Sequence, residues 1–280
     1  MNPIQSIKKY FLNAYLKKQE KKIDAAYEST HATNVGDFYN QYNDKFLAVY
    51  GEVIQAFRTN NLDNLLNYQI EQIGLQPHQK VLDAGCGICG PATYFAKNVG
   101  CNIEAITISE VQTKAAKAKI NEANLTDKVY VKTGDYHLVD KIYPKESFDK
   151  VYFLESFGHS RNKKKLLQAV RKVLKPGGEV YIKDLFVRKI QYPLLQKRIY
   201  KEIDKINEAY HYDVTELHEL VDLVRELGFV ISFIKTIDVG LEDFENLAIS
   251  NEWQELTGIA QIKDWNNYIF PVDFFEVKLY

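Results

Sequence analysis

Apolar positions along the chain follow two periods, and the change from one to the other falls at Lys80. From Ile4 to about Tyr27, Ile4, Ile7, Phe11, Ala14 and Tyr15 recur at helical spacing, while Lys8, Lys9, Lys17, Lys18, Lys21 and Lys22 take other faces. This predicts an amphipathic basic helix. It reads either as a lid or surface meeting anionic lipid or substrate, or as a helix packed on the core with solvated lysines. A second helical zone runs from about Asp44 to Gly74, carried by Phe46, Val49, Val53, Ile54 and Phe57 and then by Leu62, Leu65, Leu66, Ile70 and Ile73. Gly74 and Pro77 close it.

Beyond Lys80 short apolar runs alternate with helical patterns. Strands are predicted at Val81–Ala84, Ile103–Ile108, Val129–Lys132, Asp149–Leu154 and Val180–Leu185, with helices at Pro91–Val99, Val111–Ala123 and Leu166–Leu174. A long, Lys-rich and aromatic insertion at about 188–212 exceeds a simple strand-to-helix turn. Val214–Leu227 reads as a helix, Phe229–Val239 and Pro271–Tyr280 as strands, and Leu241–Phe270 as helical cover between them. The expected fold is α/β: a mostly parallel, Rossmann-like seven-stranded sheet with helices on both faces, and ligand beyond the carboxyl ends of the strands. The expected organisation is an N-terminal helical cap over 1–76 and a core over 77–280 that carries the 188–212 lid.

Composition narrows the partners. With 36 Lys+Arg against 37 Asp+Glu the net charge is -1, which lacks the basic field of a dedicated nucleic-acid binder. No run of ~18 apolar residues and no secretory leader is visible, so no membrane span is expected. Cys86, Cys89 and Cys101 are too few and too crowded for a disulfide framework, so a reducing cytosol is the expected compartment. The aromatic content is 13%, with 19 Tyr and 15 Phe. Such ring surface is either core or the lining of a pocket for an apolar guest.

The segment Val81-Leu82-Asp83-Ala84-Gly85-Cys86-Gly87-Ile88-Cys89-Gly90-Pro91 places Gly85, Gly87 and Gly90 at G-x-G-x-x-G spacing between a strand and a helix. Asp83 stands where it would meet an ammonium or hydroxyl better than a pyrophosphate. Cys86 and Cys89 form a C-x-x-C, but no second pair accompanies them, so neither a zinc site nor a redox role is expected.

Asp83-x-Gly85-x-Gly87, then Gly134-Asp135 after the third strand, then Leu174-Lys175-Pro176-Gly177-Gly178 together resemble class I S-adenosyl-L-methionine-dependent methyltransferases. The resemblance implies that Gly85, Cys86 and Gly87 approach the cofactor's methionine part, that Asp83 takes its amino group, and that Asp135, followed by Tyr136, accepts from the adenine amino group. Ile106-Thr107-Ile108-Ser109-Glu110-Val111-Gln112 resembles the Thr-Leu-Ser-x-x-Gln of cyclopropane-fatty-acid synthases and tocopherol methyltransferases, which implies that Thr107, Ile108 and Gln112 hold the ribose.

Leu154-Glu155-Ser156-Phe157-Gly158-His159 resembles the Glu-Ala-Thr-x-His of sterol C-methyltransferases, whose Cys-Gly-x-x-Gly-Pro-Ala also matches Cys86–Ala92. That resemblance implies C-methylation of an isoprenoid or sterol-like alkene, with Glu155 and His159 stabilising or deprotonating a carbocation and Leu154 beside the cofactor. The same pair would deprotonate a hydroxyl, so O- or N-methylation of a small metabolite stays open, as does a non-catalytic cofactor-binding subunit. Diphosphate substrates would draw on Arg161, Lys163, Lys164 and Lys165. Asp37–Phe46 resembles the tyrosine-acid segment covering the cofactor in these families, which implies that Tyr39, or else Tyr42, reaches the cofactor carboxylate.

Overall fold

The computed structural model describes residues 28–59, 61–238, 255–258 and 271–280. The basic helix expected from Ile4 to Tyr27 and most of the cover expected over Leu241–Phe270 lie outside the described residues. Among the described residues there is one sheet, built from β1 (Lys80–Ala84), β2 (Asn102–Thr107), β3 (Val129–Thr133), β4 (Phe148–Leu154), β5 (Leu174–Val187), β6 (Ile231–Thr236) and β7 (Val272–Leu279). Its order is β3-β2-β1-β4-β5-β7-β6; β1 to β5 are parallel, and β7 runs antiparallel between β5 and β6.

The strands are nearly continuous apolar runs because both faces are covered. Val81, Ile103 and Tyr152 pack on one face with Phe95 of α3 (Gly90–Val99) and Ala116 of α4 (Glu110–Glu122). Leu82, Ile106, Val151 and Ile182 turn to the other face, against Leu166 and Val170 of α6 (Lys163–Val173) and Val224 of α8 (Leu217–Glu226). Between β3 and β4 the crossover is abbreviated to a turn at Tyr136–Leu138 and the single turn α5 (Val139–Ile142). The strand order reverses between β1 and β4, which places a crevice at their carboxyl ends.

The helical zone expected over Asp44–Gly74 is two helices. The first, α1, occupies 28–50 and takes in the Asp37–Phe46 segment; the second, α2, is Leu62–Ile73. Gly51, at φ 61, ends α1 in the left-handed region, and Asn61 caps α2 by accepting from the Asn64 amide at 3.2 Å. In between, the amides of Ala56 and Phe57 leave any helical ladder to donate to Glu155, a long-range bond that local periodicity does not register.

The 188–212 insertion contains α7 (Pro193–Tyr210), with proline in its first turn. Its Ile199, Ile203 and Ile206 pack with Phe57, Val187 and Phe274 at the carboxyl end of β5. No helix among the described residues is long and apolar enough to cross a membrane.

Candidate active site

Three strand ends build the cofactor side. After β1, the amides of Gly85 and Cys86 both donate to the Ile106 carbonyl, at 2.9 and 3.0 Å. Gly85 has φ 93, and a Cβ there would meet Ser156 Cβ at 2.4 Å, so only glycine brings these two turns together. Gly90 has a different task. A Cβ on it would lie 1.9 Å from the Glu52 carbonyl oxygen, so the third glycine of the motif seats the 51–57 segment. Gly90→Ala is expected to displace that segment and cost about 1–3 kcal/mol of stability, read by thermal denaturation, with weakened cofactor affinity alongside. An unchanged midpoint would show that the close approach carries no load.

Asp83 is 3% exposed, and among the described residues no Lys, Arg or His pairs with it. Burial pushes its carboxyl up to about 7. A carboxylate so placed lacks a cation.

At the end of β2, Thr107 Oγ1 donates to Gln112 Oε1 at 2.8 Å, which turns the Gln112 amide nitrogen over and leaves it buried without a partner. Ser109 caps α4 by accepting from the Gln112 amide at 3.0 Å, and its own hydroxyl donates to Asn40 Oδ1 at 2.7 Å. Asn40, which also accepts from the Val111 amide at 3.3 Å, thereby docks α1 onto the turn after β2.

After β3, Asp135 Oδ1 accepts from the His137 amide at 2.8 Å and meets His137 Nδ1 at 2.6 Å, while His137 Nε2 reaches Ser160 Oγ at 2.7 Å. Burial raises the Asp135 carboxyl, but the His137 bonds outweigh it and hold it below the usual range. It is therefore an ionised acceptor. Tyr136 donates to the Ser156 carbonyl at 3.0 Å.

Asp83, Gly85, Cys86, Thr107, Gln112, Asp135 and Tyr136 line one cleft of about 1020 Å³, together with Gly87, Ile108 and Leu154. The lining fits S-adenosyl-L-methionine: an unpaired buried carboxylate for its ammonium, an unpartnered amide for ribose oxygens, and an ionised acceptor for its adenine amino group.

A second cavity, of about 650 Å³, adjoins the first and shares Tyr39, Ile54, Glu155 and His159 with it. The rest of its wall is Phe46, Tyr50, Ala56, Leu185, Ile206, Tyr210 and Tyr212, drawn from α1, the 51–57 segment, β5 and the 188–212 insertion. Five aromatic residues, Tyr39, Phe46, Tyr50, Tyr210 and Tyr212, thus line this cavity, while Phe95, Phe148, Tyr152, Phe153 and Tyr181 are core.

His159 lies in the turn after β4 at the junction of the two cavities. The His211 carbonyl, 3.2 Å from Nδ1, can only accept, so Nδ1 carries the proton and Nε2 accepts from the Tyr39 hydroxyl at 2.8 Å. Burial drives the His159 imidazole down to about 3, so it is neutral. Tyr39 was expected at the cofactor carboxylate; it lines the cofactor cleft, with its hydroxyl committed to His159.

Tyr42 is elsewhere. It sits beside Phe38 on the stripe of α1 facing a groove with Lys205, Glu208 and His211, and it lines neither cavity, because three residues of helix rotate it off the Tyr39 direction.

The Glu155 carboxylate is already engaged. Oε2 accepts from the Ala56 amide at 2.5 Å, Oε1 accepts from the Phe57 amide at 3.0 Å, and Oε1 also pairs with Lys183 Nζ. The basic cluster is likewise largely committed: Lys163 to Asp213, Lys164 to Glu226 and Lys165 to Glu28. The three thiols are free and buried.

Sequence reasoning missed Asn40, His137 and Lys183. Only Lys183 carried a signal, a charge inside the apolar run Val180–Leu185 of a strand covered on both faces.

The family profile described as mycolic acid cyclopropane synthetase matches residues 16–238. A sterol 24-C-methyltransferase of Gibberella zeae is 30% identical over 186 residues, 66% of this chain and 46% of that protein. Among solved structures, the cyclase SpnF superimposes with a TM-score of 0.72 at 20% identity, covering 88% of this chain and 94% of that one. A geranyl diphosphate methyltransferase, solved with its diphosphate and sinefungin, does so at 0.71 and 13%, covering 89% and 98%. At such identities the structural likeness shows the fold alone, and a cyclase among the neighbours makes the same point. The chain spans about half the length of the curated relatives it matches. The match over residues 16–238, with the cofactor cleft built as described, shows that the chain belongs to the mycolic acid cyclopropane synthetase family of S-adenosyl-L-methionine-dependent methyltransferases.

Proposed function

We propose that the protein methylates a carbon of a hydrophobic, alkene-containing small molecule held in the aromatic cavity beneath α1 and α7. The observation carrying this reading is the meeting of that cavity with the cofactor cleft at Tyr39, Ile54, Glu155 and His159. When bound, S-adenosyl-L-methionine supplies a methyl group on a sulfonium, the electrophile such a reaction needs. Everything else falls to the chain. The rings of Tyr39, Phe46, Tyr50, Tyr210 and Tyr212 exclude water and present faces to the positive charge left on an alkene after attack. A proton beside that charge is acidic enough for a weak, neutral base. The Tyr39 oxygen takes it while the phenolic proton passes to His159 Nε2, leaving an imidazolium and a neutral tyrosine.

Glu155 does not serve as that base in this arrangement, since both its oxygens are occupied. A diphosphate-bearing acceptor is disfavoured for a parallel reason: Lys163, Lys164 and Lys165 pair with acids of this chain, and Arg161 lines the cofactor cleft and not the aromatic cavity.

The test incubates purified protein with methyl-labelled S-adenosyl-L-methionine and a panel of sterol-like and acyclic alkenes, phenols and amines. Label recovered on carbon of an uncharged alkene is expected. Transfer confined to oxygen or nitrogen would overturn the carbon assignment. Binding of cofactor without turnover in any extract would identify a non-catalytic subunit.

A further inference from the structure

Lys183 is 0% exposed, and its ammonium is held by Glu155, by Gln55 Oε1 at 2.6 Å and by the Phe57 carbonyl at 3.0 Å. Its register partner across the sheet is Glu276 of β7, whose partner on β6 is Lys235, at 3.2 Å. Glu276 is also fully buried and accepts from Tyr181 at 2.5 Å and from Tyr68. Glu155, Lys183, Glu276 and Lys235 thus form a row of alternating charge from the junction of the two cavities to the partly exposed Lys235 at the outer strand. Glu155 itself stands at φ 57, a left-handed position that a side-chain residue keeps only where its surroundings hold it.

We propose that Lys183 is a positioning residue: by compensating the buried charge of Glu155 it keeps that carboxylate bonded to the Ala56 and Phe57 amides. The 52–57 segment thereby stays in place as the wall shared by the cofactor cleft and the aromatic cavity. The inference rests on the reading of those two cavities as one active site.

The alternative source of order would be packing alone, which is insensitive to charge. An ion pair removed from water is different. Deleting the cation leaves a buried charge without its partner, whereas neutralising both partners removes the penalty. The other groups facing Glu155 cannot replace the cation: Asp184 beside Lys183 is acidic and is raised to about 6 by burial, Tyr39 and Tyr212 are neutral phenols, and His159 is neutral.

The experiment needs no acceptor, so its failure is separable from failure of the proposed reaction. Hydrogen exchange of the 52–57 peptide and affinity for S-adenosylhomocysteine are measured for wild type, Lys183→Met, Glu155→Gln and the double variant. In Lys183→Met, protection of 52–57 is expected to fall at least tenfold, after correction for intrinsic exchange. The double variant is expected to be more stable and better protected than Lys183→Met alone, because neutralising both partners removes the uncompensated charge. Protection of 52–57 unchanged in Lys183→Met, or a double variant no better than that single one, folded or not, would overturn the proposal.

Discussion

Asp83→Asn is expected to weaken binding of S-adenosylhomocysteine by roughly 30- to 5,000-fold, the about 2–5 kcal/mol lost when one partner of a buried charge pair is removed. Asparagine keeps the shape and removes only the charge that the ligand ammonium would meet. The pH dependence makes the test specific. Burial raises the Asp83 carboxyl from 3.8 to about 7, so the folded, ligand-free protein binds that proton more tightly than the unfolded chain does. Its contribution to stability is therefore whole below the ordinary carboxylate range and is lost as pH rises through about 7, a change on the order of 4 kcal/mol. Relative to Asp83→Asn, ligand-free wild type should lose thermal stability between about pH 5 and pH 8, and S-adenosylhomocysteine should restore it most at the alkaline end. Binding near pH 6 should release about one proton, seen in calorimetry as a dependence on buffer ionisation enthalpy. A stability difference between wild type and variant that is flat with pH would show that Asp83 stays ionised in the free protein.

The second large effect is expected at His159. His159→Ala should lower methyl transfer by about 10²- to 10⁴-fold, the usual contribution of a placed acid–base group, while S-adenosylhomocysteine affinity changes little. Tyr39→Phe should fall between, since it removes the relay oxygen and leaves the imidazole. Because His159 is held at about 3, kcat at saturating cofactor should not titrate near the ordinary histidine range. The acid limb of kcat/KM for the cofactor should instead follow Asp83 and lie near 7. A kcat that rises through about pH 6.5 would mean that His159 is solvated and basic in the working enzyme.

Much of the cofactor side was legible residue by residue. Asp83, the first two glycines, Thr107, Gln112 and Asp135 all come from segments where the chain leaves a strand and turns at once, so neighbours in sequence are neighbours in the site. Their roles follow from the resemblance of those segments to the methyltransferase motifs. In the aromatic cavity Tyr39, Glu155 and His159 were legible from motifs, and the rest of the wall only from composition. Its aromatic surplus announced a lined hollow, but the wall combines residues as far apart as Tyr39, Glu155 and Tyr212. Tyr42 shows the limit well: the same segment and residue type placed it beside Tyr39, and a rotation about α1 removed it from the site.

The sequence by itself determined the period of each segment, hence the alternating strands and helices of a mostly parallel sheet, and its motifs pointed to the cofactor through their resemblance to a known family. These depend on contacts within a turn or between adjacent elements, which local spacing encodes. Only the tertiary structure decided what the charged groups do. Glu155 reads as a free acid beside a histidine until Lys183, the Ala56 amide and the Phe57 amide are seen on its two oxygens. Gly90 reads as a ligand glycine until the Glu52 carbonyl is seen against it. Compensation of a buried charge and exclusion of a Cβ are set by whatever segment folds over the position, and no local pattern specifies which segment that is.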